Sequence, residues 1–326
     1  MLIYRKMIKK HIIEFWPYLG KNPSEIKINT LEELVCLGRV NYEQSHLENK
    51  KLKEYENLKE DVEKTWEDAY IKNPRMHNSL MLNIKNIADD GDTLMTNLSN
   101  YKTCFWLKKK LSLLPMEKQE ELSKKFALLN IGLIVVTADN YILIEQRPEN
   151  VPAPLMFLNY PCGNAEIGNK TLADSLNLES SGELGFDIFD SVKMPLPFVK
   201  NIYSLGLERE SDEWTPCYTF VAHLDFPINK IKPNNEIRRI VKFPAEPEEL
   251  ANYIVRFYSP TAKNREIDIK ERLVPNATAM LSLYVKDSGG NGLYQELNKR
   301  LSDTAIEKYG YEFEIREYTE KTNPFK

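Results

Sequence analysis

Two glutamates stand four residues apart in a segment whose apolar residues recur at helical spacing. Glu179 and Glu183 fall within residues 171–184, which this spacing predicts to be a helix. A helix places side chains at i and i+4 side by side on one face, where two carboxylates repel each other. A divalent cation between them removes the repulsion, and oxygen ligands of this kind suit Mg²⁺ or Mn²⁺. Without further context, a plain solvated helix face is the better explanation of the pair.

Glycines flank this predicted helix in a chain that has few of them. The chain contains 13 glycines in 326 residues, below the usual share of about 7%. Four of them lie between Gly163 and Gly185. The string YPCGNAEIGN (160–169) precedes the helix, and ESSGELGF (179–186) ends it. The glutamate pair therefore lies in a loop–helix–loop segment rather than on an isolated helix.

This segment resembles the Nudix box, the signature of the Nudix hydrolase superfamily. The box joins a glycine-bearing loop to a helix that carries an Arg-Glu pair, then a Glu-Glu pair, then Gly and an aliphatic residue. The matching residues here are Pro161, Gly163, Glu179, Glu183, Gly185 and Phe186. The resemblance implies that Glu179 and Glu183 are the catalytic residues and the ligands of Mg²⁺ or Mn²⁺. It also implies that the bound cations cleave a nucleoside diphosphate linked to another group.

Several positions depart from the box. Leu178 stands in place of the Arg, and Gly182 replaces one of the two adjacent Glu residues. Asn169 occupies the place where a Glu usually opens the helix, unless Glu166 compensates from the loop. The interval from the loop glycine to the first helix glutamate is one residue longer than in the pattern. These departures favour a second hypothesis, a catalytically inactive Nudix fold that binds a nucleotide or a protein partner.

A wider resemblance covers about residues 66–285. The order of blocks is similar to that in the divergent Nudix branch that includes the UDP-glucose pyrophosphatase known as Nudix-type motif 22. The blocks are Trp66, Asn73-Pro74, NSLMLNI (78–84), TNLSNYKTCFW (96–106), NIGLIVVTADNYILIEQR (130–147), YSLGLERESDEWTPCYTFVAHL (203–224) and VPNATAMLSLY (274–284). The resemblance implies hydrolysis of a nucleoside diphosphate-sugar, similar to UDP-glucose, to a nucleoside monophosphate and a sugar phosphate.

Two residues near the box are candidates for contact with the phosphates of such a substrate. Arg147 ends a predicted strand, as Arg residues that meet a phosphate often do in this superfamily. A surface Arg bordering Glu149 is the alternative. Gly163 lies in the loop of the box and is assigned to substrate binding with Arg147.

Aromatic and acidic residues outside the box offer further candidates. Tyr101, with Phe105 and Trp106, has a ring suited to stacking on a base, although packing in a helix core explains at least two of the three. We assign Tyr101 to substrate binding. Residues 208–213 contain the carboxylates Glu208, Glu210, Asp212 and Glu213. In Nudix folds a loop here adds a metal ligand or general base, and a solvated loop is the alternative.

The remaining pattern predicts the scaffold that positions these residues. Predicted strands are residues 131–137, 141–145, 198–205 and 218–224, and predicted helices are residues 46–71, 104–125, 171–184, 244–258, 271–285 and 293–308. Residues 79–98 alternate as a hairpin, residues 1–45 carry no clean periodicity, and residues 288–292 are predicted to be a loop. Because strands and helices alternate after residue 126, we expect a layered α/β architecture.

We therefore predict a Nudix-like α/β/α sandwich around a mixed β-sheet, with an N-terminal α+β region. The expected division is an N-terminal region (1–125), a Nudix-like domain (126–287) and a C-terminal helix and tail (288–326). A third hypothesis treats the chain as a helical interaction protein built around residues 46–71, whose apolar and charged faces are well separated.

Composition narrows the class of protein. Apolar residues make up 42% and charged residues 28%, close to globular averages, which excludes wholesale disorder. A net charge of −4 argues against binding nucleic acid through overall charge. No apolar stretch approaches the roughly 20 residues of a membrane span. The four cysteines are scattered and form no CxxC pair, so we expect reduced thiols, no zinc site and a cytoplasmic protein. The sequence leaves the oligomeric state open.

Overall fold

The computed structural model describes residues 9–17, 22–37, 51–54, 58–74, 76, 78–88, 92–146, 158–165, 168–210, 215–232, 237–258 and 272–319. Arg147, predicted to contact phosphate, lies outside these ranges. So do Asp212 and Glu213 of the acidic stretch, and the start of the predicted helix at residues 46–50.

The described elements form groups of one to five strands that are separated by one to three helices. The strands are β1 (Lys9–Pro17), β2 (Lys27–Cys36), β3 (Lys51–Glu54), β4 (Leu80–Ile87), β5 (Thr93–Asn100), β6 (Ala127–Leu128), β7 (Asn130–Val136), β8 (Tyr141–Gln146), β9 (Leu158–Asn159), β10 (Cys162–Asn164), β11 (Val199–Glu210), β12 (Cys217–Leu224), β13 (Arg239–Pro244) and β14 (Tyr311–Glu317). The helices are α1 (Lys59–Lys72), α2 (Tyr101–Lys110), α3 (Met116–Lys125), α4 (Leu172–Leu184), α5 (Pro247–Phe257), α6 (Pro275–Gly289) and α7 (Asn291–Tyr309).

A nine-stranded mixed sheet forms the centre of the described structure. Its strand order is β13-β8-β7-β12-β11-β1-β14, with β9 paired to β8 and β10 paired to β7. β7 runs parallel to β12, and β1 runs parallel to β14, whereas the other pairs are antiparallel. β7 pairs with β10 along its first half and with β8 only at its end. This arrangement brings β10 to the same end of the sheet as the start of β12.

Helices cover both faces of this sheet. Alternate residues of β7 point to opposite faces, so Ile131 and Leu133 pack on the side of α4, while Ile134 and Val136 pack on the side of α5, α6 and α7. Both sets are buried, as expected for strands covered on both faces. The predicted α/β/α sandwich around a mixed sheet is confirmed. No described helix is long and apolar enough to cross a bilayer.

The N-terminal region has the predicted α+β character. A second sheet has the order β3-β2-β5-β4-β6, in which β4 and β5 form the predicted antiparallel hairpin. Leu82 and Leu98 of this hairpin belong to the same apolar core as α4 and β7. Val62 of α1 instead packs with Trp106 and Leu122 of the neighbouring helices. The apolar face of α1 is therefore used inside the molecule, which removes the main reason for the helical interaction hypothesis.

Both ends of the described chain contribute strands to the large sheet, which the sequence analysis did not predict. β1 lies between β11 and β14, although residues 1–45 carry no clean periodicity and residues 311–326 were expected to belong to the tail. The large sheet therefore contains strands from before residue 126 and after residue 287, and the division into three domains stays a prediction. The segment YEFEIRE (311–317) does alternate apolar and charged residues, which is a strand signal. β1, in contrast, carries an apolar run of mixed spacing, because Phe15 packs on one side of the sheet and Trp16 on the other.

Three predicted segments differ in their bounds. The helix expected over 46–71 begins only at Lys59, after the strand β3. The helix expected over 104–125 is two helices, because a 3₁₀ turn at Leu111–Leu113 and then Pro115 separate α2 from α3. The loop expected over 288–292 is reduced to Gly290, whose φ of 86° lets α6 turn directly into α7.

We expect Phe313→Ala to destabilise the protein, because this β14 side chain is 5% exposed and packs against Tyr258 in the core under α5, α6 and α7. Loss of a buried Phe side chain costs about 3–5 kcal/mol of unfolding free energy. The matched control is Ile306→Ala on α7, whose side chain is 45% exposed. Urea denaturation measures both. Equal effects would mean that residues 311–317 are a dispensable tail.

Candidate active site

The helix α4 carries the glutamate pair and is defined at both ends by its own sequence. At its start, Asp174 Oδ2 accepts hydrogen bonds from the backbone N–H of Thr171 at 2.8 Å and of Lys170 at 2.9 Å. At its end, Gly185 adopts a left-handed conformation with φ of 79°. Between these points the helix runs without a break through Ser180-Ser181-Gly182, three residues of poor helix propensity.

The second sheet fixes the loop that leads into α4. On one side, Leu82 N–H of β4 donates to Ala165 O at 3.4 Å. On the other side, Ile28 N–H of β2 donates to Lys170 O at 2.8 Å, and Leu172 N–H donates to Ile26 O at 3.1 Å. The N-terminal region therefore holds both described ends of this loop through backbone hydrogen bonds, which do not depend on particular side chains.

The structure brings the two glutamates to the same short strand, β10. Glu183 is buried, and its Oε2 accepts a hydrogen bond from Cys162 N–H at 3.1 Å. The carboxylate of Glu179 lies directly against the α-carbon of Gly163, since a Cβ built there would stand 2.1 Å from Cδ and from both carboxylate oxygens of Glu179. The solvated-face interpretation is therefore wrong for Glu183. With the Glu179 carboxylate in this position, only glycine fits at position 163, because any side chain would clash with it.

A third carboxylate lies close by, on β11. Glu208 is 1% exposed and pairs in register with Cys217 of β12, so the solvated-loop interpretation is wrong for this residue. Burial raises the pKa of the Cys217 thiol to about 12, and the negative charges of Glu208 and Glu179 add to that effect. Cys217 is therefore a neutral thiol near neutral pH, and not a nucleophile. The charges that raise the pKa of Cys217 thus come from two elements, Glu179 on α4 and Glu208 on β11.

Buried hydroxyls lie beneath the turn that precedes β10. Tyr160 is fully buried, and its hydroxyl lies 3.2 Å from Thr219 Oγ1 and 3.7 Å from Cys217 Sγ. Burial raises the pKa of the Tyr160 phenol well above its usual range, and the nearby Cys217 and Glu208 raise it further. The ring fits against Gly132 of β7, where a Cβ would stand 2.1 Å from Cε2 of Tyr160.

The donor set fits Mg²⁺ only in part. Within the described ranges, no three His, Cys, Asp or Glu side chains are grouped so as to hold a metal ion by themselves. Mg²⁺ usually keeps several waters and is bound through one or two carboxylates together with phosphates of the substrate. Glu179 and Glu183 meet that requirement, and Glu208 adds negative charge nearby. The residues therefore fit a cation that a diphosphate helps to hold, rather than a permanent metal site.

Tyr101 lies elsewhere, at the contact between α1 and α2. Its ring stands edge-on to Trp66 at 6.2 Å between centroids and lies 6.4 Å from Phe105. Trp106 is buried and donates through Nε1 to Asp61 at 2.8 Å, so it is a core residue. The structure thus groups Tyr101 with half-buried aromatic rings of the N-terminal region and groups Gly163 with the two glutamates.

Sequence reasoning missed the part of the site beneath the turn. It gave no role to Cys162, whose backbone N–H donates to Glu183. It assigned nothing to Tyr160 or Thr219. One signal was present: Gly132 interrupts the apolar strand NIGLIVV, and a glycine inside a strand often marks a close approach by another group. Here that group is the ring of Tyr160.

In the comparisons with known proteins, the chain matched solved structures but no family model and no curated sequence. The protein DR0079 from Deinococcus radiodurans is 12% identical, with 47% of this chain and 80% of that protein covered and a TM-score of 0.33. A MutT protein from Methanosarcina mazei Go1 is 10% identical, with 49% and 94% covered and a TM-score of 0.31. A NUDIX hydrolase from Nitrosomonas europaea is 17% identical, with 49% and 90% covered and a TM-score of 0.31.

Because these TM-scores lie below 0.5, the matches carry no argument about function, and any proposed function must rest on the residues of this chain. The two named similarities, to a MutT protein and to a NUDIX hydrolase, each cover about half of the chain.

We expect Gly163→Ala to move the Glu179 carboxylate without unfolding the protein, because the new methyl group meets only the end of a flexible side chain. Displacing a carboxylate ligand in this way typically weakens metal binding by about 10–100-fold. Titration with Mn²⁺ in the presence of UDP measures the change. The matched control is Gly182→Ala, where a Cβ meets nothing within 4 Å. It should bind the ion unchanged and gain about 0.5–1 kcal/mol of stability, since Ala replaces Gly in a helix.

Proposed function

We propose that this protein is a Nudix-type hydrolase that cleaves a nucleoside diphosphate-sugar, with a UDP-glucose-like compound as substrate, to a nucleoside monophosphate and a sugar phosphate. The observation that carries the proposal is the convergence of Glu179 and Glu183 on the turn at Cys162 and Gly163. The order of sequence blocks around the box supports it. The choice of base and sugar rests on that resemblance.

In this proposal Glu179 and Glu183 are the catalytic residues and hold Mg²⁺ or Mn²⁺ together with the phosphates of the substrate. When bound there, the cation would neutralise phosphate charge and lower the pKa of the attacking water. Cys162 N–H fixes Glu183 in one orientation. The missing side chain of Gly163 makes room for the Glu179 carboxylate, and Gly163 contacts the substrate beside it. Hydrolysis of this kind depends mainly on positioning and on stabilising charge.

Other groups of the chain have secondary roles in the proposal. Glu208 is the third carboxylate near the site and increases its negative potential, which favours cation binding. Arg147 contacts a phosphate of the substrate. Tyr101 binds the substrate through its ring, which requires the substrate to reach the N-terminal region. We further propose that the protein works in the cytoplasm, because its scattered cysteines suit a reducing compartment.

A second candidate function is a catalytically inactive Nudix fold that binds a nucleotide or a protein partner. Two positions favour it. Leu178 stands at the box Arg and is 43% exposed, and Gly182 stands at a box Glu with open space around it. Neither supplies a charge to the site. The helix therefore carries fewer acidic ligands than the usual box.

One assay separates the two candidates. The full chain is incubated with nucleotide sugars, dinucleoside polyphosphates and ADP-ribose, each with Mg²⁺, Mn²⁺ or EDTA, and released monophosphate is measured. Metal-dependent turnover of a nucleotide sugar supports the hydrolase. Saturable nucleotide binding without turnover on any compound supports the inactive fold.

We expect Glu183→Gln to lower turnover by at least 10²–10⁴-fold, the loss typical of a positioned catalytic group, while the protein stays folded. The glutamine side chain still offers an oxygen to Cys162 N–H, so the stability of the helix is kept. Glu183→Ala should be equally inactive but less stable, because the buried N–H loses its acceptor, at a cost of about 1–3 kcal/mol. Steady-state kinetics and urea denaturation measure the two effects separately.

The pair should also behave as a unit. If Glu179 and Glu183 share one ion, the double Gln variant should be hardly slower than either single variant. Turnover of Glu183→Gln equal to the wild type would contradict the assignment of the site, and losses that multiply would indicate separate roles.

We expect metal and nucleotide to stabilise the protein together. Because two carboxylates alone bind Mg²⁺ weakly, millimolar Mg²⁺ should raise the melting temperature little, while Mg²⁺ with UDP should raise it by a few degrees. A ligand at 100 times its Kd contributes about 2.7 kcal/mol. The double Glu179→Gln, Glu183→Gln variant should show no response to Mg²⁺ beyond that to UDP alone. A wild type that responds fully to Mg²⁺ without nucleotide would show that a permanent metal site exists.

A further inference from the structure

One buried tyrosine supports the turn at residues 160–161, which leads into Cys162 and Gly163 of β10. Tyr160 comes two residues before Cys162, and its side chain points into the core under α5, α6 and α7. Its ring occupies the space left by the missing side chain of Gly132. Its hydroxyl shares a hydrogen bond of 3.2 Å with Thr219 Oγ1 on β12. Both residues are fully buried, so water does not compete for this bond.

Further hydrogen bonds transmit this anchoring along the turn. The backbone N–H of Tyr160 donates to Asn159 Oδ1 at 3.0 Å, and Asn159 Nδ2 donates to Cys162 Sγ at 2.9 Å. Leu133 N–H of β7 donates to Pro161 O at 2.9 Å. The last bond of the chain is the one from Cys162 N–H to Glu183 Oε2 at 3.1 Å. A continuous set of bonds therefore leads from β12 to the carboxylate on α4.

Chemical reactivity does not explain these groups. Burial keeps the phenol of Tyr160 and the thiol of Cys217 neutral, because it raises the pKa of each far above neutral pH. Neither is placed to donate to or attack a substrate, since both are fully buried. What remains is their geometry, which fixes the backbone on which the site is built.

We propose that Tyr160 and Thr219 are positioning residues for the metal site: their hydrogen bond fixes the turn at Cys162, and through it the Glu183 carboxylate, so that it sets the affinity for the divalent cation. This inference rests on the proposed function for the identity of the ligand. It assigns no contact with substrate to either residue. Its physical basis is that a carboxylate binds a cation tightly only when its orientation is held by neighbouring hydrogen bonds.

The test removes the hydrogen bond and keeps the packing. Tyr160→Phe keeps the ring against Gly132, and Thr219→Val keeps the side-chain shape on β12. Thr219→Ser restores the hydroxyl and is the rescue variant. The matched control is Tyr294→Phe, which removes a buried phenol hydroxyl from α7 in the same core, away from the turn. Melting temperatures of all four variants show that each is folded.

Two readouts are measured on the full chain. The first is the Kd for Mn²⁺ in the presence of UDP, from the EPR signal of free Mn²⁺. The second is amide hydrogen exchange in peptides covering 158–165 and 172–184. Tyr160→Phe and Thr219→Val should each weaken Mn²⁺ binding about three- to tenfold, less than loss of a direct partner, and speed exchange in both peptides. The double Tyr160→Phe, Thr219→Val variant should match either single variant in both readouts, because the two substitutions remove the same hydrogen bond.

The outcomes are distinct. If Thr219→Ser and Tyr294→Phe both match the wild type in Mn²⁺ affinity and in amide exchange, the proposal is fully supported. Faster exchange with unchanged Mn²⁺ affinity would overturn the link from turn to metal, and unchanged exchange would overturn the anchoring itself. A wild type that binds no Mn²⁺ with UDP would refute the proposed function instead. In that case the exchange of 172–184 alone decides whether Tyr160 positions Glu183.

Discussion

The hydrogen bond from the Cys162 backbone to the Glu183 carboxylate is the contact on which the rest of the site depends. A buried carboxylate is costly unless it is hydrogen-bonded or paired with a cation. Glu183 has the first kind of partner in the structure. The same bond joins α4 to β10, and thereby to the central sheet. One interaction thus meets the requirement of a buried charge and sets the distance between helix and turn.

Much of the architecture follows from the sequence because its signals are local. The alternation of strands and helices after residue 126 predicts the layered fold, and the alternating residues 79–98 predict the hairpin of β4 and β5. The spacing of Glu179 and Glu183 predicts that both carboxylates share one helix face. These patterns depend on neighbours a few residues apart, which a single sequence displays.

The parts that the sequence did not predict depend on partners distant along the chain. β1 has no clean periodicity because Ile13 and Phe15 are buried on one side of the sheet and Trp16 on the other. Burial of Glu208 depends on how β11 pairs with β12, whereas its local sequence resembles an acidic loop. The anchoring of Tyr160 requires Gly132 and Thr219, from two other strands. Arg147 lies outside the described residues, so its assignment stays a prediction.

The pairing of β1 with β14, the first and last strands that the structure describes, has a consequence for synthesis on the ribosome. Lys9 pairs with Tyr311 and Ile13 pairs with Glu210, so β1 meets neither neighbour until most of the chain has been made. At about 5–20 residues per second, β1 waits roughly 15–60 s for β14. Until β11 is made, after roughly 10–40 s, Phe15 and Trp16, both buried in the finished sheet, lack their partners on that strand. The nascent chain therefore exposes an apolar strand while the rest of the sheet is synthesised, and we expect chaperones to bind it during that interval.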